Sequence, residues 1–275
     1  MRWMARRAQG MSQRVRVLTA VAFTFGAVLL ITANVGAAAV NARPDAQTST
    51  SSPAPAVSGT GQPFKGTAAV GALFTESDGV LGSHFCSASV VHSTHGDLAV
   101  TAAHCMTDTQ GQIVFIPGYD NGKEPYGIWK VTATYVDAAW QSSQNPDDDV
   151  AFVRLSGAVG VPIEHLTGAE QLGIGWKVPA LVRVIGYPGQ TDQPIACVNW
   201  AKSFSPTQLE FDCDGYTDGT SGGPFLADAS ATTGRGTVIG VIGGYELGGD
   251  VPQVSYASAF GSAVAALYKT AVAGG

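Results

Sequence analysis

The stretch GYTDGTSGGPF, residues 215–225, contains four glycines, one serine and one proline in eleven positions. This density of turn-forming residues predicts a tight turn. Ser221 lies within it, and the apolar run PFLA follows at once, as a strand would. The stretch alone does not distinguish an ordinary Ser/Gly turn from a turn that presents Ser221.

Short apolar runs separated by glycine and proline lie on both sides of this turn, from about Phe64 onward. Most are rich in Val, Ile, Thr and aromatic residues and have the length of strands. Examples are CSASVV, LAVTAA, WKVTATYV, DVAFVRL and TVIGVIGGY. Their spacing predicts an all-β sandwich or barrel, and only residues 259–272 have a clear helical pattern.

The composition supports a folded protein. Of 275 residues, 45% are hydrophobic and 13% are charged, which provides enough apolar side chains for a core and excludes a disordered chain. The length allows one large domain or two small ones.

The first 42 residues are typical of an export signal. Arginines precede the uncharged, mostly apolar segment 17–33, and small residues follow, with cleavage predicted after Ala39 or Ala42. The uncharged run extends to about Val40 and is long enough to span a bilayer, so an uncleaved anchor is the alternative. We favour cleavage and a secreted protein without stable membrane association, because the small residues cluster where the run ends.

The chain after this signal is acidic. It keeps ten basic and 21 acidic residues, a net charge of −11. This charge repels phosphate groups and argues against nucleic acid as a partner. The next segment, 43–63, is rich in Ser, Thr, Pro, Ala and Gly and predicts a flexible linker or a short pro-segment.

Four cysteines remain after export: Cys86, Cys105, Cys197 and Cys213. An even count in an exported protein predicts two disulfides, which can pair in three ways. Their grouping along the chain favours Cys86–Cys105 and Cys197–Cys213. Zinc is the weaker interpretation, because no CxxC occurs and the nearby histidines lack a ligand spacing. Nothing in the sequence requires a metal or an organic cofactor.

A serine in a glycine-rich turn suits acyl-transfer chemistry. Its hydroxyl attacks a carbonyl once a base removes the proton, and the resulting oxyanion needs fixed N–H donors. Because glycines allow unusual backbone angles, the N–H groups of Gly219 and Ser221 are candidates for such an oxyanion hole.

Two other segments offer the remaining groups. VTAAHC ends an apolar strand with His104 beside a cysteine expected to form a disulfide, which would restrict the histidine. PDDDVAFVRL leads from three aspartates into a buried strand. Asp149 lies at the polar-to-apolar junction, so it is the aspartate expected to be buried and to need a partner such as His104. The two aspartates before it are expected to be solvated.

The motifs VTAAHC, DVAFVRL and GTSGGP occur in this order, and each resembles the matching motif of the chymotrypsin-like (trypsin-like) serine peptidases. The resemblance spans roughly residues 66–270 and includes CSASVV before the histidine, VIGYPG at the start of the second half, and a terminal helix. It is nearest to secreted bacterial members.

The resemblance implies a fold of two antiparallel six-stranded β-barrels with a C-terminal helix. Residues 64–170 would form the first barrel and residues 171–275 the second barrel and the helix. The family's pattern also pairs Cys86 with Cys105. The protein is expected to be a monomer that acts on polypeptides.

The resemblance also implies the role of each candidate residue. Ser221 would be the nucleophile, His104 the general base and then acid, and Asp149 the group that orients the imidazole. The oxyanion hole would consist of the N–H groups of Gly219 and Ser221. Bonds are cleaved through an acyl-enzyme.

One departure from the family concerns activation. Its digestive members have an aspartate just before the nucleophile that pairs with a new N-terminus beginning I-V-G-G. Here that position is Thr220, and the region near FKGTAAVGALF contains no I-V-G-G. Activity is therefore expected not to depend on an N-terminal ammonium group beside Ser221.

A second departure concerns the specificity pocket. By spacing, the resemblance assigns five residues to it: Gly215, Tyr216, Gly243, Gly244 and Tyr245. The family's common wall serine corresponds to Gly243, so one hydrogen bond to the catalytic aspartate is expected to be missing. The trypsin-type basal aspartate corresponds to Gly215, although a one-residue shift would bring Asp214 there. The histidine of glutamate-specific relatives corresponds to Ile242, which argues against that specificity.

Two other functions remain as alternatives. A non-catalytic relative would use the same fold as a binding or adhesion module, but such relatives usually lose a triad member or the glycine before the serine. An esterase would share the serine chemistry, but its usual signature needs a helix after the serine, and no helical pattern follows Ser221. A secreted serine endopeptidase is the leading hypothesis.

Overall fold

The structure is a computed structural model that describes residues 57–107, 111–157 and 160–274. The predicted export signal and residues 43–56 of the predicted linker lie outside this part of the chain. None of the described helices is long and apolar enough to cross a membrane.

The first half forms a closed barrel. A short strand, β1 (Gln62–Pro63), precedes it, and six antiparallel strands follow in the barrel order β2-β3-β4-β7-β6-β5. Their bounds are β2 Val70–Ser77, β3 Val80–Val91, β4 Leu98–Thr101, β5 Gln112–Pro117, β6 Trp129–Val136 and β7 Ala151–Gly157. The apolar side chains of these strands alternate inward, and large ones such as Leu73, Phe115 and Trp129 fill the barrel.

The second half forms an eight-stranded sheet in which six longer strands curve into a second barrel-like layer. The strands are β8 Gln171–Leu172, β9 Ala180–Gly186, β10 Ile195–Ser203, β11 Gln208–Asp212, β12 Pro224–Ala227, β13 Thr237–Val241 and β14 Val254–Ser258. Their order is β14-β11-β10-β9-β12-β13-β8, with β1 added on β10. A single bridge from Ile242 to Ala257 links the two ends, β13 and β14.

These sheets confirm the predicted all-β fold of the chymotrypsin type. The second sheet differs from a six-stranded barrel because β1 and β8 extend it. Helical structure is sparse: α1 Ala138–Ser143, α2 Ile163–Thr167, the terminal helix α3 Ser262–Ala273, and three 3₁₀ turns at His104–Met106, Pro146–Asp148 and Tyr245–Gly248. Another group of buried apolar residues lies between the two halves. In it, Ile185 and Tyr187 pack among side chains of the first barrel.

The two ends of the described chain cross to the opposite half. Residues 57–63, expected within a flexible linker, instead hydrogen bond to the second sheet: Gln62 pairs with Ala196, and the N–H of Gly61 donates to the carbonyl of Asp214 at 2.8 Å. At the other end, α3 packs on the first barrel, and the guanidinium of Arg154 donates to the carbonyl of Ala271 at 2.6 Å. This exchange holds the halves together.

A buried carboxyl group also lies where the halves meet. Glu170 is 0% exposed, its backbone pairs with the first barrel at Val91, and its carboxylate accepts a hydrogen bond from the N–H of Gly236. The second carboxyl oxygen has no hydrogen-bond partner among the described residues. Burial raises the pKa of Glu170 to about 7, against the opposing effects of the Gly236 N–H and of Arg235 and Arg183.

This raised pKa predicts a pH-dependent stability. Between about pH 4.5 and pH 7 the native state keeps a proton on Glu170 that the unfolded state releases, so stability falls as pH rises, by roughly 3 kcal/mol in total. Glu170→Gln should remove this loss. The free energy of unfolding of the variant, relative to that of the wild type, should therefore be higher at pH 8 than at pH 5. Urea unfolding at both pH values measures it, with the exposed Glu124→Gln as control. Equal pH dependence of wild type and Glu170→Gln would contradict it.

Candidate active site

His104 is held in place by its chain neighbours. Strand β4 ends at Thr101, and His104 begins a 3₁₀ turn whose next residue, Cys105, forms a disulfide with Cys86 of β3. The second disulfide joins Cys197 to Cys213, so both have the predicted pairing. The imidazole is partly buried, with one ring nitrogen facing Asp149.

Asp149 follows the 3₁₀ turn Pro146–Asp148 and is 0% exposed. Its Oδ1 accepts the backbone N–H of His104 at 2.9 Å, and its Oδ2 lies 2.7 Å from Nδ1 of the same residue. The N–H of Gly244 donates to Oδ2 at 2.8 Å. These contacts compensate for burial of the carboxylate and place the ring proton of His104 on Nδ1.

The two preceding aspartates are half-buried and hydrogen bonded, which differs from the solvated loop that was expected. The amide of Asn145 donates to Asp148 at 2.6 Å, and burial raises the pKa of Asp148. Asp147 accepts a hydrogen bond from the side chain of Gln208. The loop is therefore ordered by its polar side chains.

The turn around Ser221 leaves two N–H groups free of protein acceptors. The N–H groups of Thr220, Gly222 and Gly223 donate to backbone carbonyls of Thr217, Ile242 and Thr220. Within the described part of the chain, those of Gly219 and Ser221 donate to no protein acceptor. Gly219 has a φ of 94°, which favours glycine. The two free donors are those that the sequence assigned to an oxyanion hole.

Contacts from outside the turn fix its backbone. The N–H of Gly189, in the GYPG segment, donates to the carbonyl of Asp218 at 2.6 Å. Because the peptide unit is planar and trans, this contact directs the Gly219 N–H to the opposite side. A Cβ on Gly219 would lie 2.6 Å from Gly189 N and from the carbonyl oxygen of Tyr187, so only glycine fits there.

Ser87 is a supporting residue that the sequence reasoning missed. It is 0% exposed, its Oγ donates to the carbonyl of Gly219 at 2.9 Å, and it accepts the N–H of Tyr187 at 2.9 Å. Its own N–H donates to the carbonyl of Ser221 at 2.7 Å. Ser87 belongs to the first barrel and its partners to the second, so only the tertiary structure reveals the contact. Its position beside Cys86 is the only sequence signal.

A cavity of about 710 Å³ connects these groups. His104, Gly219 and Ser221 line it together, with Asp149 behind the histidine. Most of its remaining wall comes from segments 216–220 and 246–252, and Ile242 lies between them in the lining. The arrangement places a hydroxyl, an imidazole and two free N–H donors around one space.

The predicted pocket residues are distributed differently from the expectation. Of the five, Tyr216 lines the cavity, whereas Gly215, Gly243, Gly244 and Tyr245 do not. Gly243 and Gly244 lie against Asp149 and Gln208, and Tyr245 is 40% exposed beside Phe204 and Tyr256. The chain turns at Tyr245–Gly248, so residues 246–252, rather than 243–245, line the cavity on this side.

The charged side chains that line the cavity, apart from the histidine, are acidic. Three acidic residues line it, Asp218, Glu246 and Asp250, and no lysine or arginine does so among the described residues. The hydroxyl of Tyr216 donates to the carbonyl of Val184 at 2.8 Å, and burial raises the pKa of this phenol. Asp214 lies outside the lining and accepts a hydrogen bond from Gln253.

One group of possible metal ligands lies close together in the described part: Cys86, His104 and Cys105. Both sulfurs are bonded to each other, and a metal needs a thiolate. His84 of β3 is buried, with Nε2 3.0 Å from the carbonyl of Thr191. His92 contacts Glu164 at the surface.

The family model described as a trypsin-like peptidase domain matches residues 82–241. This chain belongs to the trypsin-like peptidase family. It is a serine endopeptidase, and polypeptides are its substrates. No curated protein matches it by sequence.

Solved structures show the same fold. Protease Anisep from Arthrobacter nicotinovorans is 24% identical, with a TM-score of 0.67 over 78% of this chain and 100% of that one. The thermostable serine protease AL20 from an extremophilic microorganism is 23% identical, with a TM-score of 0.65 over 76% of this peptidase and 99% of AL20. A Glu endopeptidase is 13% identical, with a TM-score of 0.63 over 78% and 98%.

Ser87 provides a test of how the turn around Ser221 is held. Ser87→Ala removes both Oγ contacts and leaves a buried carbonyl and a buried N–H unpaired, so stability should fall by about 1–3 kcal/mol. The rate constant kcat should fall by about 10-fold, a part of the roughly 100- to 1000-fold cost of losing an oxyanion donor.

Ser89→Ala is the matched control, because Ser89 lies on the same strand, is equally buried, and its Oγ has no hydrogen-bond partner among the described residues. It should be neutral in kcat and stability. Thermal unfolding and peptide hydrolysis measure both variants, and equal kcat for the two would overturn the role of Ser87.

Proposed function

We propose that this peptidase is exported and cleaves peptide bonds with a catalytic triad of Ser221, His104 and Asp149. The single observation that carries the proposal is the buried carboxylate of Asp149, which contacts the backbone N–H and the ring Nδ1 of His104, while His104 and Ser221 line one cavity. A fully buried carboxylate aimed at a histidine beside a serine is the arrangement that such catalysis requires.

The chemistry begins when Ser221 Oγ attacks the carbonyl carbon of the scissile bond and Nε2 of His104 takes its proton. Asp149 keeps the other ring proton on Nδ1 and stabilises the imidazolium. The free N–H groups of Gly219 and Ser221 receive the oxyanion.

Collapse of this intermediate breaks the C–N bond, and His104 returns the proton to the leaving amine. Water then attacks the acyl-enzyme ester, with His104 again as base, and releases the acid and Ser221. Each proton in the cycle passes through His104.

Gly244 supplies the support that a wall serine provides in the family. Gly243 has no hydroxyl, and a Cβ there would lie 2.8 Å from Asp149 Oδ2. The N–H of Gly244 donates to that same oxygen. The resemblance predicted one missing hydrogen bond at Asp149, and a backbone donor stands in its place.

The charge of the cavity bears on which substrate side chains it accepts. Ile242 lines the cavity at the position of the histidine used by glutamate-specific relatives, and three carboxylates surround the same space. Anionic substrate side chains are therefore disfavoured in it. The two disulfides support export, because such bonds persist in oxidising compartments.

A fluorophosphonate probe tests the triad. It should attach to Ser221, as located by mass spectrometry, and the adduct should be absent from Ser221→Ala and nearly absent from His104→Ala. Hydrolysis should fall by about 10⁴-fold or more in each, and by a similar factor in Asp149→Asn, which favours the wrong tautomer. Asp218→Asn, in the same cavity but without a role in proton transfer, is the control for folding. Labelling of another residue, or hydrolysis that survives Ser221→Ala, would refute the triad.

A second test concerns the N-terminus. Thr220 is buried and donates its hydroxyl proton to the carbonyl of Thr217 at 2.8 Å, so the position directly before Ser221 carries no carboxylate to receive an ammonium group. Chains that begin at residue 43 or at residue 57, or that carry extra residues before these, should therefore have equal kcat/KM. Hydrolysis of a peptide library measures them. Loss of activity on extension would show that a free N-terminus is required.

A further inference from the structure

The side chain of Gln208 joins the loop that carries Asp149 to the chain after β13. We propose that it is a positioning residue, which holds the carboxylate of Asp149 and the backbone donor of that carboxylate in register. The inference rests on the triad proposed above. It concerns a side chain that touches neither the serine nor the histidine.

The side-chain amide of Gln208 uses both N–H groups and its oxygen in hydrogen bonds. Gln208 is 4% exposed, and its Nε2 donates to the carbonyl of Pro146 at 3.0 Å and to Oδ1 of Asp147 at 2.8 Å. Its Oε1 accepts the N–H of Tyr245 at 3.2 Å. The site therefore needs a side chain with two N–H donors and one oxygen acceptor, which is the pattern of a side-chain amide.

The first two contacts fix the turn that carries Asp149. Pro146 and Asp147 belong to the 3₁₀ turn that ends at Asp149. Ser258 assists, since its Oγ donates to the carbonyl of Pro146 at 2.7 Å. Gln208 and Ser258 face each other across the β11–β14 pair, so two neighbouring side chains of one sheet hold a single carbonyl of the other half. Strands paired in this way are rigid supports.

The third contact fixes the donor to the carboxylate. Gly244 N donates to Asp149 Oδ2, and the next N–H in the chain, that of Tyr245, donates to Gln208. A Cβ on Gly244 would collide with the Gln208 amide, which shows how closely they pack. Gln208 therefore sets both the position of the carboxylate and the position of its third N–H donor.

This double contact matters because Gly243 offers no hydroxyl to Asp149. With Gly244 displaced, Oδ2 would keep only its contact with the His104 ring. A buried carboxylate that loses a donor moves or becomes protonated. Either change weakens its hold on the imidazole, and small misplacements of a catalytic group reduce rates strongly.

Two substitutions test the inference. Gln208→Leu removes all three hydrogen bonds, and Gln208→Glu keeps the acceptor for Tyr245 but sets a carboxylate against Asp147 and the carbonyl of Pro146. We expect kcat to fall by about 10- to 100-fold in both. The rate of Ser221 labelling by a small fluorophosphonate should fall by a similar factor, and this probe is too small to report on the outer cleft wall.

Two readouts separate positioning from a merely structural role. In Gln208→Leu, the acid side of the kcat/KM–pH profile should move to lower pH. The reason is that a weaker contact between Asp149 and His104 stabilises the protonated imidazole less. In Gln208→Glu, the deficit in kcat should grow with pH, because the new carboxyl group loses its donor proton while it faces Asp147. The other acidic residues close along the chain are Asp148 and Asp149 after Asp147, Glu210 on β11, which pairs with Lys202, and Glu246 after Tyr245.

Rescue provides the sharpest test. Asp147→Asn in the Gln208→Glu background restores a donor–acceptor pair, with the amide now on residue 147. This double variant should recover a part of the lost kcat, but not all of it, because the Pro146 carbonyl still lacks its donor from residue 208. Asp147→Asn alone should lose activity, since an asparagine amide offers a poorer partner to the Gln208 amide than a carboxylate does.

The control is Gln112→Leu. Gln112 also donates two Nε2 hydrogen bonds to protein groups, the carbonyls of Ile113 and Val131, but it lies on β5 and lines neither the active-site cavity nor its wall. It should keep the wild-type kcat and pH profile. Thermal unfolding of all variants accounts for differences in stability.

The outcomes are distinct. Wild-type protein that is not labelled at Ser221 would refute the triad and with it the ground of this inference. Labelled, active wild type with Gln208→Leu and Gln208→Glu at wild-type kcat would overturn the inference alone. The inference would also be overturned if kcat falls while the acid side of the kcat/KM–pH profile stays in place and the double variant recovers no activity. That result would mean that Gln208 only stabilises the fold.

Discussion

The burial of the Asp149 carboxylate is the constraint on which the active site depends. A charged group at 0% exposure must receive N–H donors, and it receives them from His104 twice and from Gly244 once. These donors come from both halves of the protein. The carboxylate therefore links the turn after β4, the turn before β7 and the chain after β13 in one arrangement.

The remaining contacts of the site follow the same logic. Ser87 of the first barrel fixes the backbone around Gly219, and Gln208 of the second sheet fixes the turn before Asp149. Each half thus holds a segment of the other that carries a residue of the proposed triad or oxyanion hole. The exchange of the chain ends, with residues 57–63 on the second sheet and α3 on the first barrel, resists separation of the halves. A cleft built in this way is preorganised, which is what stabilisation of an oxyanion requires.

Where the structure differs from what the sequence predicted, the difference has a physical cause. Four of the five residues predicted for the specificity pocket do not line the cavity. The chain after the last long strand first packs against Asp149 and Gln208 and reaches the cavity only at the left-handed residues Glu246 and Leu247, a course that the family's order of segments does not reveal. Helices α1 and α2 were not predicted, because five or six residues are too few to show a helical period. Residues 57–63 have the composition of a linker, yet their backbone groups pair with β10 and Asp214. Composition reports side chains and does not report such pairing.

The sequence by itself determined the residue types and order of the motifs around His104, Asp149 and Ser221. It also indicated the strand content and favoured, among three possible pairings, the disulfides that the structure contains. Strand period and turn residues are local patterns that are read within a few positions. The cysteine pairing follows from which cysteines lie closest along the chain, at separations of 19 and 16 residues. Only the tertiary structure decided which atoms meet: Ser87 with Gly219, Gln208 with Pro146, and Gly244 with Asp149. The separations along the chain in these pairs are 132, 62 and 95 residues. Contacts of that range depend on how the two sheets pack, and no local pattern encodes them.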